Sequence, residues 1–342
     1  MYEYICFFLI LLSLCCLVKI YSTKNTIPNV SWPFINLKDE HNNNINVLCI
    51  RGPFSSDKNK EKNIKLFKEY LKRGIKFIGC SSYLTYPGLC ENTNGHCHYD
   101  DNKIDGYNIE DYVLGWCHCF RYPDKYIKPN TPKILISESD FNAERLKPDN
   151  NIKVIYDFVI FQPSDKDCKY GWNSFNKNWK LAEYCIQVMC DKLNMKGVLI
   201  GRGKCPVDIK NKNNLVVTEH IKYKKAMNYI RQSKFLLATN YEDASPRTLT
   251  EALALNKPIF VYENILGGWK YVTSETGLFF NKNNFLINLR ILLNNIKKGN
   301  YSPREYYINN YTINNSGKQL RNFIKYLYSE ITDCEYVSFP IS

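Results

Sequence analysis

Between Val154 and Tyr262 the chain alternates short apolar runs with segments whose apolar residues recur at helical spacing. The run Val154–Phe161 (VIYDFVIF) reads as a strand, Trp179–Lys192 as a helix and Val198–Ile200 as a strand. Tyr223–Ser233 reads as a helix, Phe235–Thr239 as a strand, Pro246–Leu255 as a helix and Ile259–Tyr262 as a strand. Strands that are apolar almost throughout, with helices between them, belong to parallel sheets covered on both faces. The expected fold is therefore α/β, with a Rossmann-like sheet in this half. Helices are expected to follow at Phe285–Ile296 and Gln319–Tyr328.

The first half is less regular. Ile45–Ile50 reads as a buried strand ahead of the turn Arg51-Gly52-Pro53, Asn63–Arg73 as a helix closed by Gly74, and Ile75–Gly79 and Lys133–Ile136 as strands. Residues 81–130 are rich in Tyr, Asn, Asp and Cys and show little periodicity. Ahead of all this, Ile5–Val18 is apolar apart from Ser13. Extended to Tyr2–Tyr21 it approaches the roughly 20 residues of a spanning helix, and no basic segment precedes Ile5. The expectation is an uncleaved single-pass membrane anchor, with a secretory signal peptide as the alternative. Lys19 and Lys24 follow the span and favour a cytosolic body by the positive-inside rule, though the side stays open. The expected organisation is an anchor over 1–24, a stem over 25–44, a first α/β domain over 45–151, a second over 152–330 and a tail over 331–342.

The chain is basic, with 46 Lys+Arg against 33 Asp+Glu. Basic character attracts phosphates, but no finger spacing, basic heptad region or aromatic RNP pattern accompanies it. A nucleic-acid partner is not expected; a phosphorylated small molecule fits the charge equally well. Of the 14 Cys, five (Cys80, Cys90, Cys97, Cys117 and Cys119) cluster with His96, His98 and His118. The triplets HCH and CHC lack the C-x2-C spacing of common zinc modules. Free thiols, or disulfides in an oxidising compartment, are the preferred reading, and no metal or other cofactor is expected.

Ligands of open parallel sheets sit at the carboxyl ends of strands, and three segments meet that condition. Gly201-Arg202-Gly203-Lys204 offers glycines for backbone approach and two cations. Asp243 to Ala252 offers Ser245 as N-cap, Pro246 at the first helical position, and Leu249, Ala252 and Leu253 on one helix stripe. Arg247 and Glu251, four apart, lie on the opposite side, with Asp243 just ahead of the cap. Gly267-Gly268-Trp269 offers backbone N–H groups and an aromatic wall.

The stretch ASPRTLTEALALNKPIFVYENILGGWKYVTSETGLFF resembles the donor-binding half of GT-B glycosyltransferases, in the large retaining family 4 group. That group carries an acid, seven residues and a second acid followed by Ala, then a Lys-Pro before a strand, a Gly-Gly loop and a closing Gly-x-x-Phe. Asp243 and Glu251 keep the spacing; Asp stands where the family has Glu, and Glu242 offers the acid at a spacing of eight. The VLIGRGK segment is similar to the family's strand and Gly turn, and NKNWKLA holds the place of its basic residue, with Lys180 the candidate and Lys177 the alternative. The resemblance covers about 152–330.

It implies two Rossmann-like domains facing a cleft, and transfer of a sugar from a nucleotide-sugar donor to a glycan, lipid or protein acceptor with retention and without metal. Glu251 would hold the ribose, Asp243 or Glu242 the sugar, and Arg202, Lys180 and Arg247 the diphosphate. Gly201, Gly203, Ser245, Gly267, Gly268 and Trp269 would line the donor. His118 and Asp140 are read as structural residues, with cleft lining as the alternative. A GT-B epimerase or phosphorylase and a non-catalytic, membrane-anchored sugar- or nucleotide-binding protein are the competing readings.

Overall fold

The computed structural model describes residues 30–54, 59–88, 103–104, 107–141, 143–329 and 334–340. Two sheets, each covered on both faces, form its two units. The first carries β1 (Phe34–Lys38), β2 (Asn44–Ile50), β3 (Lys76–Cys80), β6 (Trp116–Cys117) and β7 (Lys133–Ile134) in that order. A separate hairpin pairs β4 (Lys103–Ile104) with β5 (Tyr107–Asn108). The second sheet carries β8 (Tyr156–Phe161), β9 (Gly197–Ile200), β10 (Leu215–Thr218), β11 (Ser233–Ala238), β12 (Ile259–Tyr262) and β13 (Gly277–Phe280) in the order β10-β9-β8-β11-β12-β13.

All pairings in the second sheet are parallel. Its side chains divide by the two-residue period of a strand. Phe158, Ile160, Leu199, Phe235 and Leu237 face one core, which the helices Trp179–Gln187 and Phe285–Lys298 complete. Val159, Val198, Leu236 and Val261 face the other, completed by Tyr223–Arg231 and Arg247–Ala254. In sheet order the strands therefore run third, second, first, fourth, fifth, sixth of this unit. The helix after β8 covers one face and the helix after β11, its neighbour, covers the other. Between those two strand ends a crevice opens, the switch point of an open α/β sheet.

The first sheet is parallel except for β1, which pairs antiparallel with β2. Leu48, Ile50 and Phe77 meet Phe67 and Tyr70 of the helix Asn59–Lys72 on one face. On the other, Val47, Cys49 and Ile78 meet Leu320 and Ile324 of the helix Thr312–Leu327. The carboxy-terminal helix thus crosses back onto the first sheet. Leu320 and Ile324 are fully buried there, each adding about 1.5–3 kcal/mol.

Several expectations need correction. Residues 34–38, read as stem, form β1, with Phe34 and Leu37 buried beneath the sheet. The segment Trp179–Lys192 is α-helical only to Gln187, then widens into a π-helix over Val188–Lys192, where the Leu193 N–H donates to the Val188 carbonyl at 3.1 Å. The anchor expected over 1–24 lies outside the described residues. Among the described residues no helix is long and apolar enough to cross a membrane, and the single-pass membrane assignment is withdrawn. Of the Cys/His cluster, Cys90, Cys97, His96 and His98 also lie outside the described residues; Cys80, Cys117 and Cys119 are buried free thiols.

Candidate functional site

At the crevice, the loops after β8 and β11 are tied to each other. Gln162, fully buried, donates to the Lys177 carbonyl at 2.9 Å and to the Thr239 hydroxyl at 2.8 Å. That hydroxyl donates to the same carbonyl, and the Tyr241 N–H donates to the Asn176 carbonyl at 2.7 Å. Asn178 then takes a left-handed conformation (φ 52°), which turns the chain into the helix Trp179–Gln187. Lys177 is thereby aimed across the crevice and donates to Asp243 Oδ2 at 2.5 Å, where Asn240 Nδ2 donates at 2.7 Å. Of the two basic candidates, Lys177 stands at the strand ends. Lys180 is exposed one turn on, 5.4 Å from the Tyr170 ring centroid, beside a pocket of about 410 Å³.

The second acid heads a separate cluster. Glu251 is only 7% exposed. Burial raises its pKa, against the Tyr223 hydroxyl and the charges of Arg247 and Arg145. Burial and Glu251 push the Tyr223 hydroxyl to about 12, and the Arg145 guanidinium lies 6.0 Å from that ring. A largely buried carboxylate with two guanidinium groups nearby suits ligand hydroxyls and negative charge. Arg247 itself is exposed.

Other candidates have internal duties. The Arg202 guanidinium is 3.9 Å from the Trp179 ring centroid and donates to the Pro163 carbonyl and the Ser174 hydroxyl at 3.3–3.4 Å. It is 3% exposed, and burial lowers its pKa. It braces the loops rather than presenting a cation to a ligand. Gly201, at φ +103°, presses on Pro163 and donates its N–H to Thr218, as Arg202 does; Gly203 abuts Glu219. The Gly267 N–H donates to the Asp243 carbonyl at 3.0 Å and that of Gly268 to Cys119 Sγ at 3.0 Å. A Cβ on Gly267 would meet the Ala244 carbonyl at 2.1 Å. The glycine pair lets two loops touch, and its N–H groups are not available to a donor.

The cap of the helix Arg247–Ala254 is Pro246, not Ser245. The Ser245 hydroxyl instead meets Ser139 at 2.8 Å and donates to Ser137 at 3.2 Å, joining the two units. His118 and Asp140 are both buried at this junction. Asp140 accepts from Lys270 at 2.7 Å and from the Tyr271 hydroxyl at 2.6 Å. His118 is lowered to about 4 by burial and by the charges of Lys270 and Lys133. Trp269 walls a rear cavity of about 460 Å³ together with Phe279 and Tyr311.

Three features carried no signal in the sequence reading. Asp165 accepts N–H bonds from Gly171, Asn173 and Ser174 at 2.7–3.1 Å; burial works against its charge, but these bonds and the Ser174 hydroxyl hold it below its ordinary value. Cys168 and Cys205 form a disulfide joining the loops after β8 and β9. Finally, a cleft of about 450 Å³ separates the units, walled by Arg121, Tyr122 and Tyr126 on one side and by Glu242, Tyr262 and Glu263 on the other. Glu242 thus lines the cleft, whereas Asp243 is engaged by Lys177. Among the described residues no group of three or more His, Cys, Asp or Glu is arranged to hold a metal ion.

No family model matches the chain, and no curated protein sequence matches it. Solved structures do. Sucrose-phosphate synthase from Thermosynechococcus elongatus superposes with a TM-score of 0.55 at 11% identity, over 79% of this chain and 78% of that one. A variant of S. aureus TarM, in complex with fondaparinux, α-GlcNAc-glycerol and UDP, gives 0.54 at 14% identity over 78% and 54%. Anabaena HepE, in complex with UDP and glucose, gives 0.53 at 9% over 78% and 77%. The chain spans about half the length of TarM. These neighbours are GT-B glycosyltransferases, and the likeness gives this chain the GT-B-like arrangement of two α/β units.

Proposed function

We propose that the protein is a glycosyltransferase that moves a sugar from a nucleotide-sugar donor to a glycan, lipid or protein acceptor. The observation that carries this is the crevice between β8 and β11, where Lys177 meets Asp243 and the adjacent Glu242 lines a cleft open to the first unit. The GT-B-like fold, shared with neighbours whose structures hold UDP, supports it.

In this reading Lys177 leaves Asp243 to meet the donor diphosphate, and Glu251, with Tyr223 and Arg145 around it, takes the ribose hydroxyls. Glu242, on the cleft wall, takes the sugar hydroxyls, and Asp243 orients Lys177. The bond between the anomeric carbon and the diphosphate oxygen breaks as the acceptor oxygen bonds to the same face. The acceptor proton passes to the departing phosphate, so retention needs no separate base. Charge developing on the diphosphate is met by the Lys177 ammonium in a sheltered crevice, where such a group acts more strongly than in open water.

Thermal denaturation of the full chain with UDP, GDP, ADP and their glucose conjugates tests the proposal. The right diphosphate at about 100 times its Kd stabilises by about 2.7 kcal/mol. Absence of a shift with every nucleotide ends the glycosyltransferase reading. Transfer to water or phosphate alone would point instead to a hydrolase or phosphorylase.

A further inference from the structure

The first unit's wall of the cleft holds a cation that the reaction outlined above does not use. After β6, Phe120 forms an antiparallel bridge with Gly267, and Cys119 accepts the Gly268 N–H. These two contacts pin the next residue, Arg121, against the second unit. Its guanidinium carbon lies 5.8 Å from the Trp269 ring centroid and 5.3 Å from that of Phe279, within cation–π range. Its side chain has no hydrogen bond and no ion pair among the described residues. A half-buried guanidinium, held by aromatic rings with its N–H fork unassigned, is built to receive an oxyanion in bidentate fashion.

The surroundings narrow the ligand. Tyr122 and Tyr126 share the wall with Arg121, and Tyr122 is 71% exposed. Lys125 adds a second positive charge on the same side. Glu242 and Glu263 stand on the opposite wall. Aromatic faces with hydroxyls suit a sugar ring; the two cations suit an anionic group on its far side; the facing acids turn that group towards Arg121. Lys177, which we assign to the donor diphosphate, is on the other unit.

We propose that Arg121 selects the acceptor, and that the acceptor is a saccharide or polyol carrying a phosphate or a carboxylate. This rests on the glycosyltransferase reading and deepens it. Arg121 acts on specificity rather than on the bond-making step.

The test uses the full chain saturated with UDP, and calorimetric titration with glucose 6-phosphate, glucuronate, inorganic phosphate and glucose. At least one anionic sugar should bind more tightly than both glucose and inorganic phosphate, and which one binds separates a phosphate from a carboxylate source. Arg121→Gln should weaken that binding by about tenfold or more and leave UDP affinity unchanged. Arg121→Lys, which keeps the charge, should recover part of it and shows that the variant fold is intact. Anionic sugars binding no better than glucose, or equally to wild type and R121Q, would overturn the proposal. So would a loss of UDP affinity in R121Q, which would move Arg121 to the donor. UDP failing to bind wild type would remove the glycosyltransferase reading itself, whereas UDP binding without anionic-sugar selectivity removes only the acceptor assignment.

Discussion

Two Lys–Asp pairs in this protein have the same chemistry and nearly the same length. Lys177 meets Asp243 at 2.5 Å, with side chains 22% and 17% exposed. Lys270 meets Asp140 at 2.7 Å, with side chains 7% and 1% exposed. The first pair joins two loops at the crevice mouth, where water can replace either partner. The second links the two units from within, and Asp140 also accepts from Tyr271 and from the Ser137 N–H. A partly exposed pair separates at less cost than a buried one, which cannot lose a partner without stranding a charge. Residue identity alone gives Lys177 and Lys270 the same standing; their burial separates them.

Asp140→Ala is the strongest way to break this contrast. It leaves the Lys270 ammonium buried without its carboxylate, and should cost about 3–5 kcal/mol. The urea midpoint of the full chain should fall accordingly. A midpoint close to wild type would mean that the junction is as solvated as the crevice, and the distinction would fail.

The same junction should make the protein sensitive to mild acid. His118 is held at about 4 in the folded state, against about 6.5 unfolded. Between those values the unfolded chain binds a proton that the folded chain refuses, so stability rises with pH there. The His118 contribution is present above about pH 6.5 and lost as pH falls to about 4, in total about 3 kcal/mol at 1.36 per unit. His118→Gln should flatten the denaturation profile over that window. An unchanged slope would place the acid sensitivity elsewhere.

The second sheet was legible because β9, β11 and β12 are apolar nearly throughout and lie between amphipathic helices. The sequence signal failed where an element is short or carried by its neighbours. β6 is two residues long, and β1 draws its order from pairing with β2. In the site, Asp243 and Glu251 stand out by spacing, whereas the NKNWKLA segment offers Lys180 as the candidate and Lys177 as the alternative. The left-handed turn at Asn178 sets Lys177 on Asp243 and leaves Lys180 exposed on the helix, and an Asn in a Lys/Asn-rich stretch does not announce it. Arg145, Tyr223 and Arg121 reach their partners over long sequence separations, which no local pattern encodes. The Gly267-Gly268 pair misled for a related reason: sequence reveals that a backbone is bare, not what it already bonds.

Glu251 sharpens the comparison from the other side, being a buried charge on the candidate site itself. Glu251→Ala should lower kcat/KM for the donor at least about tenfold, or about 1.4 kcal/mol. The effect should appear mainly in donor KM, since ribose is held alike in ground and transition states. Donor kinetics equal to wild type in a folded variant would remove Glu251 from the site and leave its cluster with Tyr223 and Arg145 a purely structural one.

Lys177→Ala should give the smallest change in stability and is the counterpart of the Asp140 experiment. Losing a partly exposed ion pair should cost less than about 1 kcal/mol of unfolding free energy, read from the urea midpoint. Affinity for the nucleoside diphosphate, measured by titration, should nevertheless fall by about tenfold, the worth of one charge-assisted contact. Asp243→Asn should retain stability and most of that affinity, because it frees Lys177 without removing it. If Lys177→Ala instead destabilised the fold as Asp140→Ala does, while diphosphate affinity held, the crevice pair would be a second structural clamp. The diphosphate would then have to be met by the guanidinium groups around Glu251.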